Sequence, residues 1–396
     1  MSNQTTSPSG LPSRPRALVI GGSLGGLFAD SLLRHIGWDV DIFERSAHDL
    51  DSRGGGIVLQ LDVVEVFRRI GLDLDKIALG VPSIHRTVFD PDGRIRSKQY
   101  APQTQTSWSL IYTTLRATFD DAHYHQAKVL TRVEQDAATG RVTAHFADGT
   151  HATGDLLVGA DGGNSIVRQQ FWPQQVPSYA GYLVWRGLIH EDSMPPVARD
   201  ALHGDFGFAN NTGSHMLGYL VPGENNDVRP GHRLYNWVWY RVADTTQLQD
   251  IMTDRDGRQR GYAMPEGKLA DRWVEHVRQE ARTLLPPSFR AVVEATQHPF
   301  AQAIRDLASD QMVAGRVILL GDAAAIPRPH TAASTSKAAS NALDLADALL
   351  ASPDDIDAAL KAWEPRQVAL GRMLRRQGTE TGNYLLFHRP PSTRIG

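Results

Sequence analysis

Three short stretches of this chain carry residues whose types and spacing could do chemistry. Residues 21–26, GGSLGG, set four glycines in six positions between an apolar run, ALVI, and an amphipathic one, LFADSLLRHIGW. Glycines there let the chain turn tightly and bring backbone N–H groups, with the positive end of a helix, close to a pyrophosphate. Glu44 ends the next apolar run, 23 residues after Gly21, where a carboxylate can accept hydrogen bonds from a ribose. The pattern reads as a βαβ unit that holds an adenine dinucleotide through Gly21, Gly22, Ser23, Leu24, Gly25 and Gly26. Ser23 stands at the second glycine of G-x-G-x-x-G; it costs some closeness to phosphate but can donate its hydroxyl. Taken alone, the stretch also reads as a tight turn and nothing more.

The second stretch, GDLLVGADGGNSIVR (154–168), predicts a strand that ends at Asp161-Gly162, with Ser165 and Arg168 opening a helix. The third, VILLGDAAAIPRP (317–329), runs four apolar residues into Gly321 and leaves Asp322 at the strand end. A carboxylate there can accept hydrogen bonds from hydroxyls. It can equally cap the turn that follows, and the residues alone leave both readings open.

Composition narrows what these motifs can serve. A chain of 396 residues, 41% hydrophobic and 21% charged, is normal for a folded protein of two domains. A net charge of −3 without a long Lys/Arg run argues against nucleic acid or an anionic membrane surface as partner and favours a small molecule. No apolar run approaches the ~18 residues of a membrane span. The polar start, MSNQTTSPSGLPSRPR, lacks a signal peptide's apolar core, so residues 1–15 are expected to be a flexible tail on a cytoplasmic protein. With no cysteine, disulfides, thiolate catalysis and Cys-based metal sites are excluded. The 15 histidines contain no HExxH pair, and no metal is expected.

Texture divides the elements that must position these residues. Residues 16–175 read as the first part of a dinucleotide-binding domain, 301–350 as its second part, and 351–396 as a C-terminal helical segment. Between them, 176–300 alternates in period two through YAGYLVWRGLI, GSHMLGYLVPG and HRLYNWVWYRV, which predicts an antiparallel sheet. In HMLGYL, period two puts His215, Leu217 and Tyr219 on one face and Met216, Gly218 and Leu220 on the other. His215 and Tyr219 combine an aromatic wall with proton-transferring groups and are the candidate catalytic residues; the plainer reading is a strand histidine and a packed tyrosine. Trp185, Trp237 and Trp239 read as sheet packing.

The Gly-rich βαβ unit with Glu44 and Arg45, the Asp161-Gly162 pair and the Gly321-Asp322 pair occur in that order from about residue 16 to about 350. That combination resembles the class A flavoprotein monooxygenases, the para-hydroxybenzoate hydroxylase family. The resemblance implies an α/β fold: a Rossmann-like FAD-binding domain with a mixed sheet, a smaller antiparallel-sheet substrate domain and C-terminal helices. It implies FAD, with Glu44 on the ribose, Arg45 beside the adenosine, Arg53 and Arg116 along the pyrophosphate and linker, and the backbone at Leu130 against adenine. Asp161 would meet FAD and the pyridine nucleotide, Asp322 the ribityl chain, and Pro329 the pocket beside the flavin. Backbone N–H groups of Ala332, Ala333 and Ser334, at a helix start, would face the flavin's N1/O2 edge.

The chain departs from the family after Asp322. Ala325, Arg328, Thr331, Ser334 and Ser336 stand where the family has histidine, prolines and a Gly-x-x-Gly-x-Asn turn, and Asn341 where it often has aspartate. These departures bear on flavin mobility and local geometry. The reaction implied is ring hydroxylation: NADH or NADPH, with NADH preferred, reduces FAD, dioxygen adds to form a C4a-hydroperoxide, and an electron-rich ring takes its distal oxygen. The expected substrate is a hydroxylated pyridine or phenol, foremost 2,6-dihydroxypyridine going to 2,3,6-trihydroxypyridine, a ring of the kind met in nicotine degradation. No second Gly-rich βαβ unit is evident, which suits a transiently bound nicotinamide. Three other readings stay open: a flavin oxidoreductase or oxidase that inserts no oxygen, a halogenase, disfavoured because WxWxIP is absent, and a catalytically silent flavin-binding protein. Aromatic residues exposed at the sheet would suit a homodimer.

Overall fold

In the computed structural model, which describes residues 14–389 apart from 49, 51–54 and 212, the chain opens with the expected unit. Strand β1 (Arg16–Ile20) leads through the Gly-rich turn into helix α1 (Leu24–His35) and strand β2 (Asp39–Phe43). β1 is buried along nearly its whole length because it is a central parallel strand covered on both faces. Pro15 is already tied in, its carbonyl accepting from the Asp39 N–H at 2.9 Å. Pro15 thus belongs with the sheet and not with the expected tail, whose residues 1–13 lie outside those described.

Strand β3 (Gly56–Val58), helix α2 (Leu61–Arg69) and the hairpin β4 (Val81–Phe89) to β5 (Ile95–Ser107) follow. Helix α3 (Trp108–Arg116) returns the chain to β6 (Tyr124–His125). A meander of β7 (Leu130–Asp136), β8 (Arg141–Phe146) and β9 (His151–Gly154) then precedes β10 (Leu156–Gly159). After α4 (Ile166–Phe171) come β11 (Ser178–His190), α5 (Pro196–Leu202), β12 (Phe206–Asn211), β13 (Ser214–Val221) and β14 (Leu234–Val242). Helix α6 (Thr245–Ile251), the short β15 (Ala263–Met264), α7 (Asp271–Leu284), α8 (Pro287–Ala295) and β16 (Phe300–Ala308) complete the middle of the chain. It closes with β17 (Val313–Ala314), β18 (Val317–Leu319), β19 (Ala325–Ile326), α9 (Ser334–Ala351) and α10 (Ile356–Phe387).

Two sheets organise these elements. The first has the order β17-β18-β10-β1-β2-β6 and is parallel except for β17. Its register aligns Ile20 with Gly159 and Gly159 with Leu319, so the ends of β1, β10 and β18 lie side by side. The second has the order β15-β16-β11-β14-β13-β12-β4-β5-β3 and is antiparallel except where β12 runs parallel to β4.

The domain bounds read from texture need correction here. β3, β4 and β5 belong to the second sheet, because β4 alternates buried and exposed positions and pairs Arg86 with Phe206. The substrate sheet thus draws on residues 56–107 as well as on 176–308.

The second sheet has two different faces. Met216, Leu220, Trp185, Trp237 and Trp239 pack with α5, α7 and α8 in one core, which makes the three tryptophans packing residues as expected. Trp237 Nε1 donates to Thr296 Oγ1 at 2.9 Å and Trp239 Nε1 to Ser214 Oγ at 2.7 Å. The opposite face carries Tyr182, Arg186, His215, Tyr219, Asn236 and Tyr240 and meets the end of α10 through Leu386. Among the described residues no helix is long and apolar enough to cross a membrane, and no cluster could hold a metal ion.

Candidate active site

Motifs separated by about 140 and 300 positions in sequence become neighbours at the ends of three adjacent parallel strands. Gly21 follows β1, Asp161 follows β10 and Asp322 follows β18. Gly21 has φ +105°, and a Cβ there would lie 2.8 Å from the Ala160 carbonyl carbon. A Cβ on Gly26 would meet the Gly21 carbonyl oxygen and come within 3.2 Å of Val19 Cγ1, so α1 starts hard against the strand ends. Ser23 caps α1 without a side-chain hydrogen bond, and the first turn holds no acidic residue. The N–H groups of Leu24 and Gly25 are left for an anion, as a pyrophosphate cradle requires.

Carboxylates ring this cradle. Glu44 accepts from the Gly22 N–H and the Ser46 N–H, each at 2.8 Å, and each oxygen keeps a further lone pair for a ribose hydroxyl. Arg45 is exposed. Arg116 stacks its guanidinium 4.3 Å from the Tyr124 ring and pairs with Asp121 at 2.5 Å, while the Tyr124 hydroxyl donates to the Gly22 carbonyl at 3.1 Å. Arg116 therefore reaches the Gly-rich turn through Tyr124. Leu130 opens β7, two residues past the Lys128 N–H that donates to the Glu44 carbonyl at 2.8 Å. Arg53 lies outside the described residues.

Asp161 divides its two oxygens. Oδ2 accepts from the Ile166 and Val167 N–H groups at 2.6 and 3.3 Å and caps α4, whereas Oδ1 is buried without a partner. Burial raises its pKa against the pull of the helix N–H groups and Ser165. A buried carboxylate oxygen in need of a donor suits a hydroxyl of the cofactor. Arg168, itself buried, donates to the carbonyls of Gly163 at 2.7 Å and Ala323 at 2.8 Å and so ties the Asp161 turn to the Asp322 turn.

Asp322 has a partner that the motif reading did not foresee. Lys337, one turn into α9 and wholly buried, donates from Nζ to Asp322 Oδ1 at 3.0 Å and to the Ala325 carbonyl. Ser334 Oγ donates to the same Oδ1 at 2.9 Å. Burial lowers the Lys337 pKa while Asp322 opposes that shift. Asp322 Oδ2 takes no part in these bonds, and its half-exposed side chain can still reach a ribityl hydroxyl.

The family departures acquire reasons at this point. Asn341 Oδ1 accepts from the Gly321 N–H at 3.2 Å while Nδ2 donates to Gln367 Oε1 at 2.8 Å, a donation that an aspartate could not make. Ala332 adopts φ +51° without being glycine, and Thr331 Oγ1 braces it by accepting from the Ala333 N–H at 3.3 Å. Pro329 lies exposed in the same turn. Ala333 caps α9 with no side-chain bond.

The candidate substrate residues lie on the second sheet's open face, across from this cradle in sequence but joined to it by residues 328–330. His215 Nδ1 bonds Asn210 Oδ1, and its ring stacks 5.7 Å from Tyr240. Burial holds His215 at a pKa of about 4, so it is a neutral imidazole. Tyr219 packs edge-on to Phe206 at 4.7 Å, and burial pushes it up to about 12 against the opposing charge of Arg186. The Gly56 N–H donates to Asn236 Oδ1 at 3.2 Å, which sets the start of β3 against this face. Arg186 Nε and Asn236 Nδ2 are buried without partners. The sequence reading missed Arg186, Asn236, Lys337 and His330. For His330 a signal existed: it closes the Arg-Pro-His run just after the Gly-Asp motif.

Known proteins resemble this chain in sequence and in overall fold. A family described as FAD binding domain-like matches residues 179–306. The chain is 35% identical over 362 residues to a 2,6-dihydroxypyridine 3-monooxygenase of Paenarthrobacter nicotinovorans, covering 91% of this chain and 89% of that one. It is 28% identical over 353 residues to a 6-hydroxynicotinate 3-monooxygenase of Pseudomonas fluorescens, covering 85% and 82%. The solved structure of 2,6-dihydroxypyridine-3-hydroxylase from Arthrobacter nicotinovorans superposes with a TM-score of 0.88 at 32% identity, covering 97% of this chain and 96% of that one.

Proposed function

The chain belongs to the FAD-dependent aromatic-ring monooxygenases, the class A flavoprotein hydroxylases, and on that premise we propose that its substrate is a hydroxylated pyridine. The specific reaction proposed is 2,6-dihydroxypyridine to 2,3,6-trihydroxypyridine, with NADH as reductant. That the enzyme hydroxylates an aromatic ring with FAD, NAD(P)H and dioxygen follows from the family. The observation that supports the pyridine is near full-length similarity to two enzymes whose names specify hydroxylated pyridines.

The residues divide the work. Gly21 to Gly26, Glu44, Arg45, Arg116, Leu130, Asp161, Asp322, Pro329 and Ala332 to Ser334 are proposed to hold FAD, with Arg53 in the same group. Reduced FAD supplies the activation of dioxygen when bound. His215 and Tyr219 are proposed as the catalytic side chains. Because Asn210 Oδ1 can only accept, His215 Nδ1 carries the proton and Nε2 keeps its lone pair for a ring hydroxyl. Tyr219, with Phe206 beside it, walls the ring and excludes water. A cytoplasmic setting and a homodimer belong to the same proposal, the latter supported by exposed Ile84, Ile95 and Tyr100 on the β4–β5 hairpin.

The test is NAD(P)H consumption by the FAD-loaded protein with a panel of hydroxypyridines and hydroxybenzoates, products identified by mass. A gain of one oxygen on 2,6-dihydroxypyridine is the expected result. NADH oxidation that yields only peroxide with every ring would overturn it.

A further inference from the structure

His330 belongs to none of the motifs, yet it is packed into the open face of the second sheet. Its ring lies 4.5 Å from Tyr240 and 5.7 Å from His215, centroid to centroid. Its Nε2 is 2.9 Å from the Tyr182 hydroxyl, and its Nδ1 is enclosed with no partner. Which nitrogen carries the proton follows from what stands behind Tyr182. Asp306 grips the Arg328 guanidinium at 2.7 and 2.9 Å and Asn383 Oδ1 accepts from it at 3.1 Å, and the guanidinium lies over Tyr182, 5.3 Å from its ring centre. A guanidinium can only donate. Its positive charge attracts the lone pairs of the Tyr182 oxygen and repels the O–H proton, which turns toward His330 Nε2. In the neutral imidazole the remaining proton is then on Nδ1, a buried N–H in need of an acceptor. His215 is set the opposite way, with Nδ1–H on Asn210 and the lone pair on Nε2. Two adjacent imidazoles thus offer one donor and one acceptor.

We propose that His330 is a substrate-binding residue whose Nδ1–H donates to an oxygen of the ring, while His215 Nε2 takes the proton of a ring hydroxyl. The proposal rests on the reading of the substrate as a hydroxylated ring and deepens it. It specifies a ring that offers one hydroxyl donor and one carbonyl or oxyanion acceptor, as the lactam form of 2,6-dihydroxypyridine does. In the step the substrate O–H bond breaks, its electron pair stays on the ring oxygen, and the proton moves to His215 Nε2. His330 keeps its proton throughout, since Tyr182 anchors its other nitrogen. The titratable or charged groups around His330 are Tyr182 on β11, His215 on β13, Tyr240 on β14, Asp306 on β16 and Arg328 in its own turn.

The test is a titration of FAD-loaded wild type, His330→Phe and His330→Asn with 2,6-dihydroxypyridine, following the absorbance of the bound ring at several pH values. Loss of one hydrogen bond to a charged oxygen predicts about tenfold to hundredfold weaker binding in His330→Phe, with ionisation of the bound ring moved to higher pH. His330→Asn, whose amide nitrogen reaches the Nδ1 position, is expected to recover most of that loss. Wild-type binding in His330→Phe, no recovery in His330→Asn, or loss of flavin instead of ring affinity would each overturn the assignment. If wild type converts 4-hydroxybenzoate and not 2,6-dihydroxypyridine, the pyridine reading fails, and the same variants titrated with 4-hydroxybenzoate still decide the role of His330.

Discussion

The two sheets offer a ligand different kinds of group. At the parallel sheet the groups proposed to bind are backbone N–H groups at the start of α1, after β1, and carboxylates after β2, β10 and β18, with Glu44 and Asp161 held by main-chain N–H groups and Asp322 by Lys337 and Ser334. At the antiparallel sheet they are side chains on one face, held by one another: Asn210 by His215, Tyr182 by His330, Arg328 by Asp306. Main-chain recognition tolerates few residue types and leaves a motif. Side-chain recognition tolerates many and leaves little more than an alternation.

That contrast can be pressed from both sides. The largest effect is expected from Gly21→Ala, which adds a Cβ against the Ala160 backbone at φ +105°. It should cost roughly 2–4 kcal/mol of stability by overpacking and strain together and abolish FAD retention, checked by thermal unfolding and flavin content. On the other sheet, His215→Ala is expected to lower the rate of hydroxylation about a hundredfold, the lower range for a lost general base, while FAD content stays full. Product formation per NADH consumed is the readout.

Lys337→Met sits between the two regions. It removes the buried cation behind Asp322, and because that carboxylate is half exposed the expected loss is about 1–2 kcal/mol, seen as a lower urea midpoint and weaker FAD binding. The smallest effect is in acid. Burial holds His215 at about 4 and His330 at about 3, whereas the unfolded chain titrates them near ~6.5. The unfolded state therefore takes up protons first as pH falls through that window, and stability is lost on the way down. His215 alone should contribute about 1 kcal/mol of that loss between pH 7 and 5.5, and urea midpoints of His215→Asn should fall less than wild type over the same range.

The same contrast explains what was legible in the sequence. Gly21 and Gly26 were legible because a Cβ at either would meet backbone atoms, and Glu44, Asp161 and Asp322 because each is a lone carboxylate just after an apolar strand. The facing of His215 and Tyr219 was legible because strand period two is strict. Lys337 was hidden because a lysine in the first turn of a helix gives no sign, in one dimension, that an aspartate waits beneath it. Asn341 stood out only as a departure, and its reason lies in Gln367, 26 residues away on another helix. The bounds of the substrate sheet were misplaced because β4 joins it through a parallel pairing with a strand more than a hundred residues later, which no local pattern announces.

The measurement that tests the central claim most directly is the FAD dissociation constant, read from quenching of flavin fluorescence in wild type, Asp322→Ala and His215→Ala. If cofactor and substrate are held by separate sheets, Asp322→Ala weakens FAD binding about tenfold to a hundredfold and His215→Ala leaves it within about twofold. FAD binding at wild-type strength in Asp322→Ala, or weakened equally in His215→Ala, would contradict the division.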